Sequence, residues 1–299
     1  MKNRYWNGVL SALLLALLML SGCRMFEKDA MGEPAYILGL AVCGDQVWHL
    51  AAAENGRDLL RDGKTVLKGL EAAQFDRSGS ACLYRAEGKL VRYDLAEGTD
   101  REIAPADPLL GIPTEDYLLV DDRRIAMADG SVTQLKNKPQ GSLAVLAVRG
   151  NRVYMDHTYR RTIAIYDAQT DIRTDLWQYA PEFNDILAGA LVDGKLYFSR
   201  STGGLWQLDP KTPGVMPVQV SKRTPVAMAL GESGMICALA GQEKSLIFCT
   251  GLEQDQPLEI ARWEGADYYL NGSCRLALSG TKAACAVSTG REVFVFEVK

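Results

Sequence analysis

The sequence predicts an all-β chain built from repeated four-stranded units, and three observations predict it. Short apolar or alternating runs are separated by Gly, Asp, Asn and Ser at intervals of roughly 8–12 residues, as strands divided by tight turns would be. A strand–turn–strand motif recurs along the chain. One strand beyond it, an aspartate recurs at the exit of another apolar run. No long segment beyond the N-terminus carries a helical period.

At the N-terminus, Lys2 and Arg4 precede an apolar run from Val9 to Leu20 that only Ser11 interrupts. A membrane-spanning helix needs about 20 apolar residues, so a run of roughly a dozen suits the apolar core of a secretory signal. The run ends in Leu20-Ser21-Gly22-Cys23, which resembles the lipobox of bacterial lipoproteins. The resemblance implies cleavage before Cys23 and lipidation (palmitate among the acyl groups) of that thiol and the new amino terminus. Several acyl chains make a stable membrane anchor. Residues 1–22 are thus expected to be a cleaved signal peptide, and residues 23–34, a polar stretch ending at Pro34, a lipidated tether. At about 3.3 Å per residue, the tether would hold the body within about 35 Å of the bilayer. Arg24 after the lipidated cysteine implies the outer membrane where the envelope has two, and the cell membrane otherwise.

Losing residues 1–22 removes Lys2 and Arg4, leaving 31 basic against 37 acidic residues, or −6. That balance argues against a nucleic-acid partner, which calls for a basic patch or stripe. Of the 7 cysteines, Cys23 is assigned to lipid. The others are Cys43, Cys82, Cys237, Cys249, Cys274 and Cys285. An even number in an exported chain permits disulfides, and the local pairs Cys237–Cys249 and Cys274–Cys285 are the expected bridges. Buried free thiols are the equal alternative. No C-x-x-C pair suggests a redox or zinc site.

Residues 35–299 hold the repeats. Leu146 to Met155, Ala190 to Phe198, Leu40 to Trp48 and Ala229 to Cys237 each read as strand, tight turn, strand. Weaker copies lie at Arg77-Ser78-Gly79, Pro113-Thr114-Glu115 and Ala277 to Thr281. The turns recur about every 35 to 47 residues, the period of a four-stranded β-propeller blade. Seven four-stranded blades are expected, with six or eight as the neighbouring counts. The last blade would hold residues 274–279, 282–288 and 291–298, its fourth strand coming from the segment before Tyr36.

Asp94, Asp167 and Asp209 close the runs ending in Tyr93, Tyr166 and Leu208. Their side chains would hydrogen-bond the backbone of the next turn; calcium ligation is the alternative. The exits Tyr166-Asp167 with Thr170 and Leu208-Asp209 with Thr212 resemble those of quinoprotein-like and WD40-like repeat propellers. That resemblance implies the fold. The docking tryptophan of quinoprotein enzymes is absent after Thr99, Thr170 and Thr212. No cofactor is therefore expected.

Most reaction classes fail on inventory. The chain has 2 histidines, His49 and His157, too few for a three-histidine metal site. Asp156-His157 are neighbours in an expected strand, so their side chains should face opposite ways. Asp116, Asp121, Asp156 and Glu232 form a candidate channel carboxylate set for calcium, as in propeller lactonases. Asp121-Asp122-Arg123-Arg124 reads as a solvated hairpin, and Tyr159-Arg160-Arg161 and Ser221-Lys222-Arg223 as basic turns. Trp177, Trp206, Trp263, Tyr179, Tyr268 and Tyr269 read as packing between blades, or as stacking faces at a mouth. No catalytic or metal-binding residue is assigned.

The expected function is a lipid-anchored cell-envelope propeller acting as a non-enzymatic platform for a protein or ligand. The alternatives are a hydrolase or lyase with a carboxylate or calcium site in the channel, and a glycan or small-ligand sensor. The outer-membrane assembly lipoprotein with a quinoprotein-like propeller is the nearest functional analogy.

Overall fold

Two-residue turns set the strand pairing. In Arg149-Gly150-Asn151-Arg152 and Ser279-Gly280-Thr281-Lys282, the glycines take φ of 57° and 55°. The flanking residues pair directly, Arg149 with Arg152 and Ser279 with Lys282. A positive φ costs little at glycine, and turns of this length match the twist of paired strands. The computed structural model describes residues 36–298 apart from 77, 106–110, 139–142, 184–185, 202, 232–233, 243, 255, 267–273 and 288–291.

Blade 1 comprises β1 (Ile37–Cys43), β2 (Gln46–Ala53), β3 (Gly56–Arg61) and β4 (Lys64–Leu70). Blade 2 comprises β5 (Ala72–Phe75), β6 (Ala81–Ala86), β7 (Lys89–Asp94) and β8 (Thr99–Pro105). Blade 3 follows with β9 (Ile112–Pro113), β10 (Tyr117–Val120), β11 (Arg123–Ala126) and β12 (Val132–Gln134). Blade 4 contains β13 (Leu143–Arg149), β14 (Arg152–His157), β15 (Thr162–Asp167) and β16 (Ile172–Gln178). Blade 5 contains β17 (Ile186–Val192), β18 (Lys195–Arg200), β19 (Leu205–Leu208) and β20 (Val218–Ser221). Blade 6 contains β21 (Pro225–Gly231), β22 (Gly234–Ala240), β23 (Leu246–Thr250) and β24 (Leu258–Trp263). Blade 7 closes the chain with β25 (Cys274–Ser279), β26 (Lys282–Val287) and β27 (Val293–Glu297).

Each sheet runs in chain order with antiparallel neighbours, so the protein is a seven-bladed β-propeller. All seven strand–turn–strand copies found in the sequence fall at the same place, between the first and second strands of successive blades. Blade 7 shows three described strands. The fourth strand expected before Tyr36 lies outside the described residues.

Blades are apolar on both faces because each face is covered by a neighbour. Seven separate clusters of buried side chains result, one for each contact between adjacent blades. The largest fully buried members, Trp48, Tyr166, Phe198 and Phe248, lie in four different clusters. The last cluster joins Ala284 of blade 7 to Val42 and Val47 of blade 1, which closes the ring.

The first strand of each blade lines the central channel. β1, β13, β17 and β21 share a register shift near their starts, at Ile37/Gly39, Val145/Ala147, Ile186/Ala188 and Pro225/Ala227. A bulge at this point bends the inner strand along the channel wall. Gly189 on β17 lets two inner strands approach closely. A Cβ there would sit 2.6 Å from Leu146 Cβ and 2.9 Å from Leu146 Cα.

Candidate functional site

A propeller offers its channel and its rims for function. Two cavities of about 560 and 660 Å³ lie along the channel. Leu40, Leu146, Met228 and Leu276 line both, while polar groups make up the larger share of the exposed wall. Three of the polar side chains on the wall reach across to the next blade. Arg57 of blade 1 donates to the Ala73 carbonyl of blade 2. Gln74 of blade 2 donates to the carbonyl of Gly111, just before blade 3, at 2.7 Å. Arg275 of blade 7 donates to the Ile37 carbonyl of blade 1 at 3.5 Å, and burial pushes its pKa down. Asp76 accepts from the Ser80 and Ala81 backbone and from the Ser78 and Ser80 hydroxyls. Arg57, Gln74 and Arg275 thus staple the ring, whereas Asp76 braces the β5–β6 turn of its own blade.

The candidate carboxylates do not converge. Asp116 lies in the turn before β10, where Asn151 Nδ2 donates to it at 2.7 Å. Asp121 occupies the β10–β11 turn with φ of 46°, and its carbonyl accepts from Lys138 Nζ. Asp156 is buried at the end of β14, accepting from Tyr179 Oη at 2.5 Å and Thr158 Oγ1 at 3.2 Å. Burial raises the Asp156 pKa against the pull of these two donors. Glu232 lies outside the described residues. Among the described residues no three His, Cys, Asp or Glu side chains form a group that could hold a metal ion.

His157 is also buried, and its Nδ1 stands 3.4 Å from Arg173 Nη1. Burial lowers its pKa, helped by Arg173 and Arg160. The neutral ring can thus accept from the guanidinium. His49 lies on β2, half-buried, and burial lowers its pKa as well.

The aspartates at the third-strand exits organise backbone. Asp94 Oδ1 accepts from the Ala96 and Glu97 N–H groups, and Asp167 Oδ1 from Gln169 and Thr170. Asp209 Oδ1 accepts from Lys211 N–H. Asp129 does the same for Ser131 in blade 3, a copy without the following threonine that marks the others. Burial disfavours the Asp167 carboxylate, but the N–H of Thr170, then Arg152 and Gln169, outweigh it and hold its pKa down.

Trp177 and Trp206 pack between blades 4 and 5, each edge-on to Phe183, with ring centroids 5.0 and 5.3 Å away. Trp263 stacks on Phe294 at 5.5 Å. Tyr179 is buried, while Tyr268 and Tyr269 lie outside the described residues. In the Asp121-Asp122-Arg123-Arg124 hairpin, Arg124 reaches across to the Ala168 and Gln169 carbonyls of blade 4. In the Ser221-Lys222-Arg223 turn, Arg223 N–H donates to Ser221 Oγ at 3.2 Å.

The expected disulfides are not formed. All six described cysteines are free thiols. Cys237 and Cys249 sit opposite each other on β22 and β23, buried in an apolar interface. Cys274 and Cys285 stand diagonally across β25 and β26, with sulfurs 3.4 Å apart against about 2.05 Å in a disulfide. Cys23 lies outside the described residues.

Sequence reasoning missed a second cavity-forming region, on the outer side between blades 3 and 4. A cleft of about 770 Å³ there gathers Lys136, Lys138, Arg160 and Arg173 around His157, with Tyr159 and Ile172 beside them. These residues come from three separate segments. Of these residues, only His157 and the Tyr159-Arg160 pair stood out locally in the sequence.

No family model matches the sequence, and no curated protein matches it. Solved structures do resemble it. The computationally designed Ika8 protein superposes with a TM-score of 0.51 at 13% identity, over 90% of this chain and 98% of that one. PorZ, described as an essential bacterial surface component of the type-IX secretion system of Porphyromonas gingivalis, gives 0.54 at 10% identity. That match covers 89% of this chain and 38% of PorZ. BamB from Moraxella catarrhalis gives 0.47 at 14% identity, over 87% and 82%. At these identities the likeness is one of fold.

Proposed function

We propose that the protein is a lipid-anchored β-propeller of the bacterial cell envelope that works as a non-enzymatic platform for a protein partner. The observation that carries the platform reading is that Arg57, Gln74 and Arg275 on the channel wall are tied up in bonds between successive blades rather than left facing a substrate. A hydrolase or lyase would need convergent acids or a metal, and Asp116, Asp121 and Asp156 are held apart in separate turns and strand ends. A glycan sensor would need free indole faces, whereas Trp177, Trp206 and Trp263 pack against other rings.

The outer edge of blade 5 supplies a surface suited to a protein. Val215, Met216 and Val218 are 58%, 61% and 63% exposed beside the edge strand β20. An apolar stretch next to unpaired strand edges favours addition of a partner's strand or loop. The anchor reading rests on Leu20-Ser21-Gly22-Cys23 behind its apolar run.

Crosslinking in intact envelopes followed by mass spectrometry tests the platform. A reproducible partner crosslinked near residues 215–221 is expected, and its absence would remove the reading. Changing Cys23→Ser should release the protein from the lipid-modified membrane fraction; unchanged acylation would overturn the anchor.

A further inference from the structure

The cleft between blades 3 and 4 exists because the two blades differ in size. Strands of blade 3 have 2, 4, 4 and 3 residues, against 7, 6, 6 and 7 in blade 4. The face of blade 4 that carries Val153, Met155 and Tyr166 is covered by Leu119 and Leu135. His157 and Arg173 continue that face, by strand alternation and pairing, beyond the reach of the short blade.

The uncovered end is walled by cations. Lys136 and Asn137 follow β12, and their backbone N–H groups are held by the Asp171 carboxylate at 2.8 and 3.2 Å. Arg160 stands on the single 3-10 turn after β14, which Arg161 ends in a left-handed conformation. Arg173 is fixed in the wall. Its Nε donates to Asp175 at 2.6 Å, its Nη1 faces His157, and its Nη2 is buried without a hydrogen-bond partner. Lys138 is half-buried, donates to the Asp121 carbonyl and lies in the field of Asp121 and Asp122. Lys136 and Arg160 are exposed and have no ion-pair partner among the described residues. Four cations thus face one cleft whose lining contains no carboxylate. Asp175 offsets one of them and Asp121 and Asp122 partly offset another.

We propose that this cleft binds a phosphate-bearing ligand, held by Lys136 and Arg160 over the positive wall formed by Arg173 and Lys138. A phosphate group matches the two free cations in charge, carrying about −1.5 to −2 as a monoester and −1 as a diester. Guanidinium and ammonium groups are its usual protein partners. Tyr159, 81% exposed, and Ile172, 57% exposed, stand beside the cations and give an apolar contact for the organic part. The ligand's source is a soluble phosphate compound or the headgroup of a phospholipid.

Calorimetric titration of the purified full chain separates these outcomes. The probes are inorganic phosphate and dihexanoyl-phosphatidylglycerol below its micelle concentration, with acetate at equal ionic strength as control. Saturable binding of either phosphate probe, but not of acetate, is expected. Binding of inorganic phosphate points to a soluble source, and binding of the phosphatidylglycerol alone points to lipid. The double change Lys136→Glu and Arg160→Glu should weaken that binding about a hundredfold or more, because each charge-assisted contact is worth at least about tenfold in affinity. Both side chains are exposed, and an unchanged melting temperature confirms that the variant folds. Lys222→Glu with Arg223→Glu makes the same charge change elsewhere and should leave binding intact. No saturable phosphate binding, equal binding of acetate, or equal loss in the two double variants would overturn the proposal.

Discussion

Blade 7 meets blade 6 through stacked aromatic rings and meets blade 1 through small aliphatic side chains and two long cations. On the first flank, Phe248 lies 5.7 Å from Phe294 and 4.5 Å from Phe296, and Trp263 stacks on Phe294 at an interplanar angle of 7°. On the second, Ala284 and Ala277 face Val42, Val47 and Leu40. Arg275 and Lys282 donate across that seam to the carbonyls of Ile37 and Asp45. The two flanks are closed by different physics. The aromatic flank gains from buried area and ring geometry. The seam relies on close approach of small residues and on charge-assisted bonds between residues 238 and 237 positions apart. Closing so long a loop costs entropy before any contact returns it. The seam is therefore the place where the ring should open first.

The largest expected effect comes from the aromatic flank. Phe248→Ala should cost about 3–5 kcal/mol, read as a fall in the urea midpoint, because the cavity lies between two blades that cannot collapse together. A loss no greater than at the seam would break the contrast. Val47→Ala at the seam should cost about 2 kcal/mol by the same measurement, from the smaller apolar group removed.

How far these positions were legible in the sequence differs between the flanks. The strands of blade 7 could be read almost residue for residue, since Ser279-Gly280-Thr281-Lys282 marks a turn by local chemistry alone. Arg275 carried no such signal. Its acceptor is a carbonyl at the other end of the chain, which only ring closure brings near. Blade 3 was faint for a different reason: β9 has two residues, too few to show alternation. Asp129 escaped notice because Val132 stands three residues on, where Asp167 and Asp209 have Thr170 and Thr212.

Replacing both seam cations, Arg275→Met and Lys282→Met, should cost about 1 kcal/mol for each bond lost, and the two should add. Native-state hydrogen exchange should show β1 and β25 opening at lower free energy than β22 and β23, and the reverse order would refute the weak seam. The smallest effect is chemical. Cys43 on β1 and Cys274 on β25 are partly exposed, whereas Cys285 is buried in the aromatic flank, where its contact with Cys274 and then burial push its thiol pKa up. Mass-spectrometric thiol labelling at neutral pH should modify Cys43 and Cys274 well before Cys285. Raising the pH should speed all three, since only the thiolate reacts.

The sequence by itself determined the repeat, the class of fold and the place of the first turn in every blade. Those features depend on residues within a few positions of one another, where glycine geometry, aspartate capping and alternation act locally. Tertiary structure alone decided which side chains meet. It drew Arg57, Gln74 and Arg275 into staples, kept the candidate acids apart, and set four cations around a cleft left open by a blade too short to cover its neighbour. Each of these depends on the angular placement of blades around a closed ring, and that placement is a property of packing between segments far apart in the chain.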